Sequence, residues 1–126
     1  MQPPHSPYVA PPEYLEHHKP KDIQLRPNVP PVERIQNQSR ESLAGYYAMI
    51  ENLDWNVGRV FETLESNHLA DNTIVIYFSD HGDMHGSQGR ILKCMPWEES
   101  LRNPFMVANG HGEALSQIQN TTPDLI

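Results

Sequence analysis

The sequence predicts an α/β fold in which one long helix is followed by a buried strand. Within residues 37–67, apolar side chains recur every three or four positions, which is the spacing of one helix face. Residues 73–78, TIVIYF, are mostly β-branched or aromatic and do not alternate, which predicts a strand buried on both faces of a parallel sheet. Residues 104–109, PFMVAN, predict a second, shorter strand. A helix that leads into a buried strand is half of an α/β unit.

The helix predicted over residues 37–67 should pack through a stripe of seven residues. In order, they are Leu43, Tyr47, Ile50, Asp54, Val57, Phe61 and Leu64. Six of the seven are apolar, so this face is expected to meet the core. Asp54 interrupts the stripe, and we expect it at the edge of the buried face with a local hydrogen bond.

The first third of the chain is rich in proline. Nine of the twelve prolines lie in residues 1–31. Because each proline removes a hydrogen-bond donor and fixes φ, regular helix or central strand is not expected there. The segment also carries histidines and tyrosines, which a plain linker would lack. We therefore predict that residues 1–36 form an ordered, Pro-rich extended loop on a larger body, with a disordered tail as the alternative.

Size and composition narrow the classes of protein. With 126 residues the chain is one domain or part of one, and its net charge of -7 disfavours a nucleic-acid partner held through phosphates. The longest apolar run, IVIYF, is far shorter than the ~18 residues that span a bilayer. The start of the chain shows no basic-then-apolar signal peptide, and the single cysteine, Cys94, excludes an internal disulfide.

The predicted elements are too few for an independent core. One helix, two short strands and long connections bury little apolar surface. In so small a domain, the free energy gained by this burial is about cancelled by the conformational entropy lost on folding. The last residues, TTPDLI, are typical of a helix start, with Thr122 as N-cap, Pro123 at the first helical position and Asp124 in the first turn. We therefore expect the chain to be part of a larger α/β domain.

Residues 79–93, SDHGDMHGSQGRILK, place many ionisable groups directly after the predicted buried strand. In open α/β sheets, sites lie beyond the carboxyl ends of the strands. Asp80 offers a hard oxygen ligand for Ca²⁺ or Mg²⁺, and His81 offers an imidazole for a metal or an anion. Lys93 would bring a positive charge to an oxyanion, so the stretch suits hydrolysis of sulfate or phosphate esters. From the spacing alone, a solvated glycine-rich loop remains the alternative.

Residues 71–107 resemble the C-terminal part of the sulfatase catalytic domain, which belongs to the alkaline-phosphatase-like superfamily. The family pattern is a strand, then S-D-H-G or S-D-N-G, a glycine-rich loop, lysine, E-E-S, arginine and proline. Here these elements are Ser79-Asp80-His81-Gly82, Lys93, Glu98-Glu99-Ser100, Arg102 and Pro104. Residues 3–14, PPHSPYVAPPEY, resemble the family's P-H-x-P-Y segment, and residues 46–65 resemble its tyrosine-rich helix. The resemblance implies a partial alkaline-phosphatase-like sandwich.

The same resemblance implies roles for four residues. Asp80 would ligate a divalent metal, usually Ca²⁺ in sulfatases, with Mg²⁺ or Mn²⁺ as alternatives. His81 would contact the metal or the nucleophile. Lys93 would bind the sulfate oxygens and help to stabilise the leaving group, and His5 would contact the sulfate or the leaving oxygen. The implied activity is hydrolysis of a sulfate ester of a small molecule or carbohydrate.

Two loop positions depart from the family pattern. His85 stands where leucine is common, and Gln88 stands where many members have histidine. Both positions border the substrate in the family, so the substrate class stays open. The Asp-His pair is also shared with phosphonate monoester hydrolases, so hydrolysis of phosphonate or phosphate monoesters is the alternative reaction. The remaining histidines are expected at the surface: His17, His18, His68 and His111.

Half of the family's site is missing from the sequence. There is no C/S-x-P-x-R motif, whose first residue becomes the formylglycine nucleophile, and no Asp-Asp pair for the metal. The run CMPWE at Cys94 starts like that motif, but Glu98 stands where arginine is required. We therefore expect these parts in a missing N-terminal half of the same domain and no turnover by this chain alone; a non-catalytic remnant is the alternative. Many sulfatases are exported, but nothing in this chain predicts a compartment.

Overall fold

The computed structural model describes residues 3–117, so the helix start predicted at Thr122, Pro123 and Asp124 lies outside the described residues. Its helices and strands are, in order, α1 (Pro12–His17), α2 (Glu33–Ser66), β1 (Ile74–Phe78), α3 (Glu98–Leu101), β2 (Phe105–Asn109) and β3 (Ala114–Gln117). Short 3₁₀ turns cover Pro20–Asp22, Ala70–Asn72 and Ser87–Gly89. The combination of helices with one small sheet confirms the predicted α/β class.

The chain divides into two compact units. The first unit comprises Met1–Val57 and Met84–Leu92, and the second comprises Gly58–Asp83 and Lys93–Ile126. The long helix α2 therefore contributes its larger, N-terminal part to the first unit and its C-terminal part to the second. Although α2 has 34 residues, no helix within residues 3–117 is both long and apolar enough to cross a membrane.

The N-terminal segment of the first unit is not extended throughout. α1 starts at Pro12 and a 3₁₀ turn starts at Pro20, each with its proline in the first turn. Proline is tolerated there because the first amides of a helix have no intrahelical partner. α2 also begins before the predicted residue 37, so the prediction of a single extended loop over residues 1–36 is wrong in these places. Ala10 and Ile23 of this segment are buried.

α2 packs through small residues rather than through the predicted stripe. Its buried residues are Ser39, Leu43, Ala44, Gly45, Ala48, Met49 and Leu53. Only Leu43 of the predicted stripe is fully buried, whereas Tyr47 and Ile50 are each 39% exposed. An added Cβ at Gly45 would collide with the Tyr8 carbonyl oxygen, so the backbone of the N-terminal segment lies directly against this face. The buried face is therefore decided by a close backbone approach, which small side chains permit.

The second unit contains a three-stranded antiparallel sheet with the order β1-β2-β3. β1 and β2 pair with Ile74 opposite Asn109 and Phe78 opposite Phe105. β2 matches the predicted second strand, but the prediction of a parallel, doubly buried first strand is wrong. Ile74, Ile76 and Phe78 are exposed, whereas the alternate residues of β1 are half-buried. An apolar run without alternation shows that both faces of the strand are apolar. It determines neither the direction in which the strand pairs nor which elements cover each face.

Candidate functional site

The predicted site loop begins immediately after β1 in the second unit. Ser79 Oγ donates a hydrogen bond to the His81 carbonyl oxygen at 2.8 Å, and the His81 amide donates to Asp80 Oδ1 at 3.0 Å. These contacts fix the backbone of the Ser-Asp-His turn at the end of the strand. The Asp80 side chain is 84% exposed, so its carboxylate remains accessible to a ligand.

The ring of His81 is oriented by its own backbone neighbour. Its Nδ1 lies 2.8 Å from the Gly82 carbonyl oxygen, and because a carbonyl oxygen can only accept, Nδ1 carries the proton. The neutral ring then has its lone pair on Nε2, which lies 3.8 Å from Asp80 Oδ2. A histidine that donates Nδ1–H to a backbone carbonyl is a common form of metal-ligating imidazole. His81 Nε2 and Asp80 Oδ2 are therefore two possible ligand atoms that lie close together at the end of β1.

The short helix α3 holds this loop in place. Gly82 donates its amide hydrogen to the Ser100 carbonyl oxygen at 2.9 Å. A Cβ on Gly82 would collide with the Glu99 carbonyl oxygen, so glycine is required for this close contact. Ser100 is buried, and its Oγ accepts a hydrogen bond from the Met95 amide at 3.5 Å. The Glu-Glu-Ser run therefore holds the site loop through its backbone. The sequence motif gave no signal of this role, because any residue carries a backbone carbonyl.

Lys93 belongs to the same compact unit as Asp80 and His81 and is half-buried. The next residue, Cys94, is exposed and has a left-handed φ of 66°. Within residues 3–117, no group of three His, Cys, Asp or Glu side chains is arranged to hold a metal ion. A hard divalent cation takes ~6–8 ligands, so Asp80 and His81 could supply at most a part of such a site.

The other three predicted site residues belong to the first unit. His5 is exposed, and its Nδ1 donates to the Ser6 carbonyl oxygen at 2.7 Å. Gln88 is exposed at a left-handed φ of 54°, and its amide donates to the Asn28 carbonyl oxygen at 3.0 Å. His85 is only 3% exposed, which leaves its ring no surface for direct contact with a substrate. The expectation that His85 borders the substrate therefore does not fit its position.

Two clusters of histidines and carboxylates lie outside the predicted site. Glu51 accepts from both His17 Nδ1 at 2.8 Å and His18 Nε2 at 2.9 Å, and the hydrogen bond from His17 lowers the pKa of Glu51 below its ordinary value. In the second unit, His111 Nε2 lies 3.0 Å from Asp71 Oδ1, and this hydrogen bond raises the pKa of His111. His17 and His111 are exposed and His18 is half-buried, and all three form hydrogen bonds to carboxylates.

Comparison with known proteins gives a consistent family. The sulfatase family model matches residues 2–123. An ulvan-active sulfatase of Formosa agariphila is 37% identical over 107 residues, which cover 82% of this chain and 20% of that protein. An endo-4-O-sulfatase of Bacteroides thetaiotaomicron is 35% identical over 115 residues, which cover 85% of this chain and 22% of that protein.

The solved structures agree with the sequence comparison. The crystal structure of yidJ from Bacteroides fragilis, a protein assigned to the sulfatases, matches this chain with a TM-score of 0.78 and 36% identity. The match covers 88% of this chain and 25% of that one. This chain thus spans between 20% and 25% of the length of these relatives. It belongs to the sulfatase family and forms a part of that family's alkaline-phosphatase-like α/β fold.

Proposed function

We propose that this chain is part of a sulfuric ester hydrolase and supplies residues that bind a metal and the sulfate group. The family assignment supports the reaction class, because the relatives are named as sulfatases. The observation that carries the proposal is the pair of donor atoms Asp80 Oδ2 and His81 Nε2, 3.8 Å apart at the end of β1. This sequence holds no formylglycine motif, so the nucleophile belongs to a further part of the protein.

Asp80 and His81 would hold a divalent cation in that protein. A carboxylate is the ligand that Ca²⁺ prefers, and an imidazole whose Nδ1 is already hydrogen-bonded presents Nε2 as its ligand atom. Ca²⁺ is our first choice, with Mg²⁺ or Mn²⁺ as alternatives. When bound, the cation would supply positive charge that polarises the sulfate ester. Gly82 and Ser100 would keep the two ligands in place through their backbone hydrogen bond.

Lys93 and His5 are proposed to act on the ester itself. The Lys93 ammonium would pair with sulfate oxygens and balance their negative charge as the S–O bond to the leaving group breaks. His5 donates Nδ1–H to the Ser6 carbonyl oxygen, so in the imidazolium form its Nε2–H would pass a proton to the leaving oxygen and leave the neutral Nδ1–H ring. Hydrolysis then yields the alcohol, which keeps that proton, and sulfate.

We propose a sulfated carbohydrate as the substrate class. Two relatives are named ulvan-active sulfatase and endo-4-O-sulfatase. Gln88 is exposed, and its amide group can both donate and accept hydrogen bonds, which suits the hydroxyl groups of a sugar. Gln88 therefore remains a proposed substrate contact.

The test is an aryl sulfate hydrolysis assay on the natural polypeptide that contains these residues, whose length mass spectrometry of the source cells would establish. Asp80→Ala and Lys93→Ala should each reduce kcat/KM by about 10²–10³-fold, because each removes an electrostatic contact to the reacting group. Asp54→Ala removes an exposed carboxylate of α2 and is the matched control, which should leave the rate unchanged. Equal rates for Asp80→Ala and the unaltered protein would contradict the proposal.

Two further results of the same assay separate the alternatives. The 126-residue chain by itself should give only background hydrolysis, since it lacks the nucleophile motif. Turnover by this chain that is lost in Asp80→Ala would overturn that expectation. Faster hydrolysis of an aryl phosphate or phosphonate than of the aryl sulfate would favour the phosphonate or phosphate monoester reaction.

A further inference from the structure

His85 lies in a small polar and aromatic cluster of the first unit. It is 3% exposed, and its ring centroid lies 5.1 Å from that of Tyr8 and 4.5 Å from that of Tyr46. Its Nδ1 lies 3.2 Å from Ser42 Oγ. Tyr8 belongs to the N-terminal segment, whereas Ser42 and Tyr46 belong to α2. The ring of His85 therefore contacts both elements at once.

The Ser42 hydroxyl has two hydrogen-bond contacts. Ser42 Oγ donates to the Ser39 carbonyl oxygen at 3.1 Å, and it lies 3.2 Å from His85 Nδ1. Because the hydroxyl has a single hydrogen, both hydrogen bonds form together only when Ser42 Oγ accepts from His85 Nδ1–H. The arrangement that satisfies both contacts is therefore the Nδ1–H tautomer of the neutral ring.

The turn that carries His85 is also fastened by Arg26. The guanidinium of Arg26 donates to the Met84 carbonyl oxygen at 3.3 Å and to Ser87 Oγ at 3.2 Å. His85 itself has a φ of 42°, a value that is uncommon for a residue with a side chain. Such a conformation persists only where the surroundings determine it, and here the contacts of the ring and of Arg26 do so.

Tyr8 connects this cluster to His5, which lies three positions earlier in the chain. The Tyr8 ring meets the Tyr46 ring edge-on, with 5.9 Å between centroids. The Tyr8 carbonyl oxygen lies directly against Gly45 of α2, where a Cβ would collide with it. The placement of the segment after His5 on α2 thus depends on the same rings that enclose His85.

We propose that His85 is a positioning residue that holds the segment carrying His5 against α2. It does so through its Nδ1–H hydrogen bond to Ser42 and its packing against Tyr8 and Tyr46. The importance of this anchoring for catalysis rests on the proposed function, but the anchoring itself does not. It replaces the direct substrate contact that the loop position of His85 suggested.

The test is ¹H–¹⁵N imidazole correlation spectroscopy on the natural polypeptide that contains these residues, which reports the tautomer of each histidine. The His85 signal, identified by its loss in His85→Asn, should show the Nδ1-protonated pattern, with exposed His68 as the internal reference. In Ser42→Ala that pattern should be lost, and so should the nuclear Overhauser contacts between the Tyr8 and Tyr46 rings. Both changes are expected because a buried donor is left without its acceptor.

Ser66→Ala is the matched control for Ser42→Ala. Ser66 makes the same backbone contact on the same helix, to the Thr63 carbonyl oxygen at 3.1 Å, but at its exposed end. This variant should leave the His85 signal and the ring contacts unchanged. His85→Asn should retain the ring contacts, because its amide can donate in place of Nδ1 and asparagine tolerates positive φ, whereas His85→Leu should lose them.

An Nε2-protonated His85 in the unaltered chain would overturn the proposal, whether or not any variant folds. So would a Ser42→Ala spectrum that matches that of Ser66→Ala. None of these readouts requires turnover. If the sulfatase assay fails but His85 shows the Nδ1-protonated pattern, the proposed function is wrong and the anchoring stands. If the assay succeeds but His85 does not show that pattern, only the positioning role is wrong.

Discussion

The two compact units of this chain differ in how much apolar surface they bury. Within residues 3–117, every buried apolar residue except Ala70 belongs to the first unit, which has packed clusters around α2. In the second unit, β1 and β2 expose Ile74, Ile76, Phe78 and Met106. Within the described residues, the first unit thus buries apolar clusters around α2, whereas the second exposes one apolar face of its sheet.

The proposed metal ligands lie in the less buried unit. Asp80 and His81 are held by hydrogen bonds between near neighbours and by the Gly82–Ser100 backbone contact. In the first unit, His85 is held instead by rings that are distant in sequence. The difference shows that the proposed metal ligands are held by local polar geometry, whereas His85 is held by tertiary packing within its own unit.

The largest expected difference between the units is the loss of stability when one apolar residue in each is shortened to alanine. Leu43 is 3% exposed, so Leu43→Ala should lower the free energy of unfolding by about 2–5 kcal/mol. Ile76 is 56% exposed, so Ile76→Ala should cost less than about 1 kcal/mol, through lower β-propensity. Urea denaturation followed by circular dichroism measures both. Equal losses would show that the exposed face of β1 is packed and would break the comparison.

One methyl group at Gly82 should disturb the site loop and leave the first unit intact. The new Cβ of Gly82→Ala would meet the Glu99 carbonyl oxygen, a backbone atom that no rotamer change can move. We expect a local cost of about 1–3 kcal/mol and loss of the hydrogen bond to Ser100. Amide hydrogen exchange at residue 82 should accelerate, whereas exchange in the first part of α2 should not change.

Gly58→Ala is the control for that experiment. Nothing lies within 4 Å of a Cβ at Gly58, and alanine is preferred to glycine in a helix by up to ~1 kcal/mol. This variant should therefore be neutral or stabilising. Unchanged exchange at residue 82 in Gly82→Ala would mean that α3 does not fix the site loop.

The elements that follow local patterns could be predicted from the sequence. The spacing of apolar residues located α2, and β-branched and aromatic content located β1 and β2, because both are properties of neighbouring residues. The prediction of a parallel strand was wrong, because the direction of pairing depends on how the chain returns to form β2. The predicted buried face of α2 was also wrong. Tyr8 approaches Gly45 so closely that small residues, rather than large ones, meet the core.

The site shows the same division. The position of Asp80 and His81 at the end of a strand could be predicted, because their geometry is set within a few residues, whereas their role in a site stays a prediction. The burial of His85 could not be predicted, because Tyr8 and Tyr46 are brought to it by the tertiary fold. Ser100 contributes a backbone carbonyl, a group that every residue carries and that no side-chain type indicates.

The smallest expected difference between the units is their response to pH. In the second unit, the hydrogen bond to Asp71 raises the pKa of His111 above its ordinary value of 6.5. Folding therefore favours protonated His111, so its contribution to stability is complete below pH 6.5 and is lost as the pH rises through the raised pKa. His111→Gln should flatten that decline in thermal midpoints measured from about pH 5.5 to about pH 8.5.

Glu51→Gln in the first unit is the matched control, because the hydrogen bond from His17 lowers the pKa of Glu51 below its ordinary value of 4.5. A carboxylate with a lowered pKa contributes stability above pH 4.5 that is lost as the pH falls through the lowered value. Glu51→Gln should therefore change only the acid side of the profile and leave the decline above pH 6.5 intact. If it flattens that decline as much as His111→Gln does, the alkaline response does not belong to the second unit, and the two units are coupled in their titration.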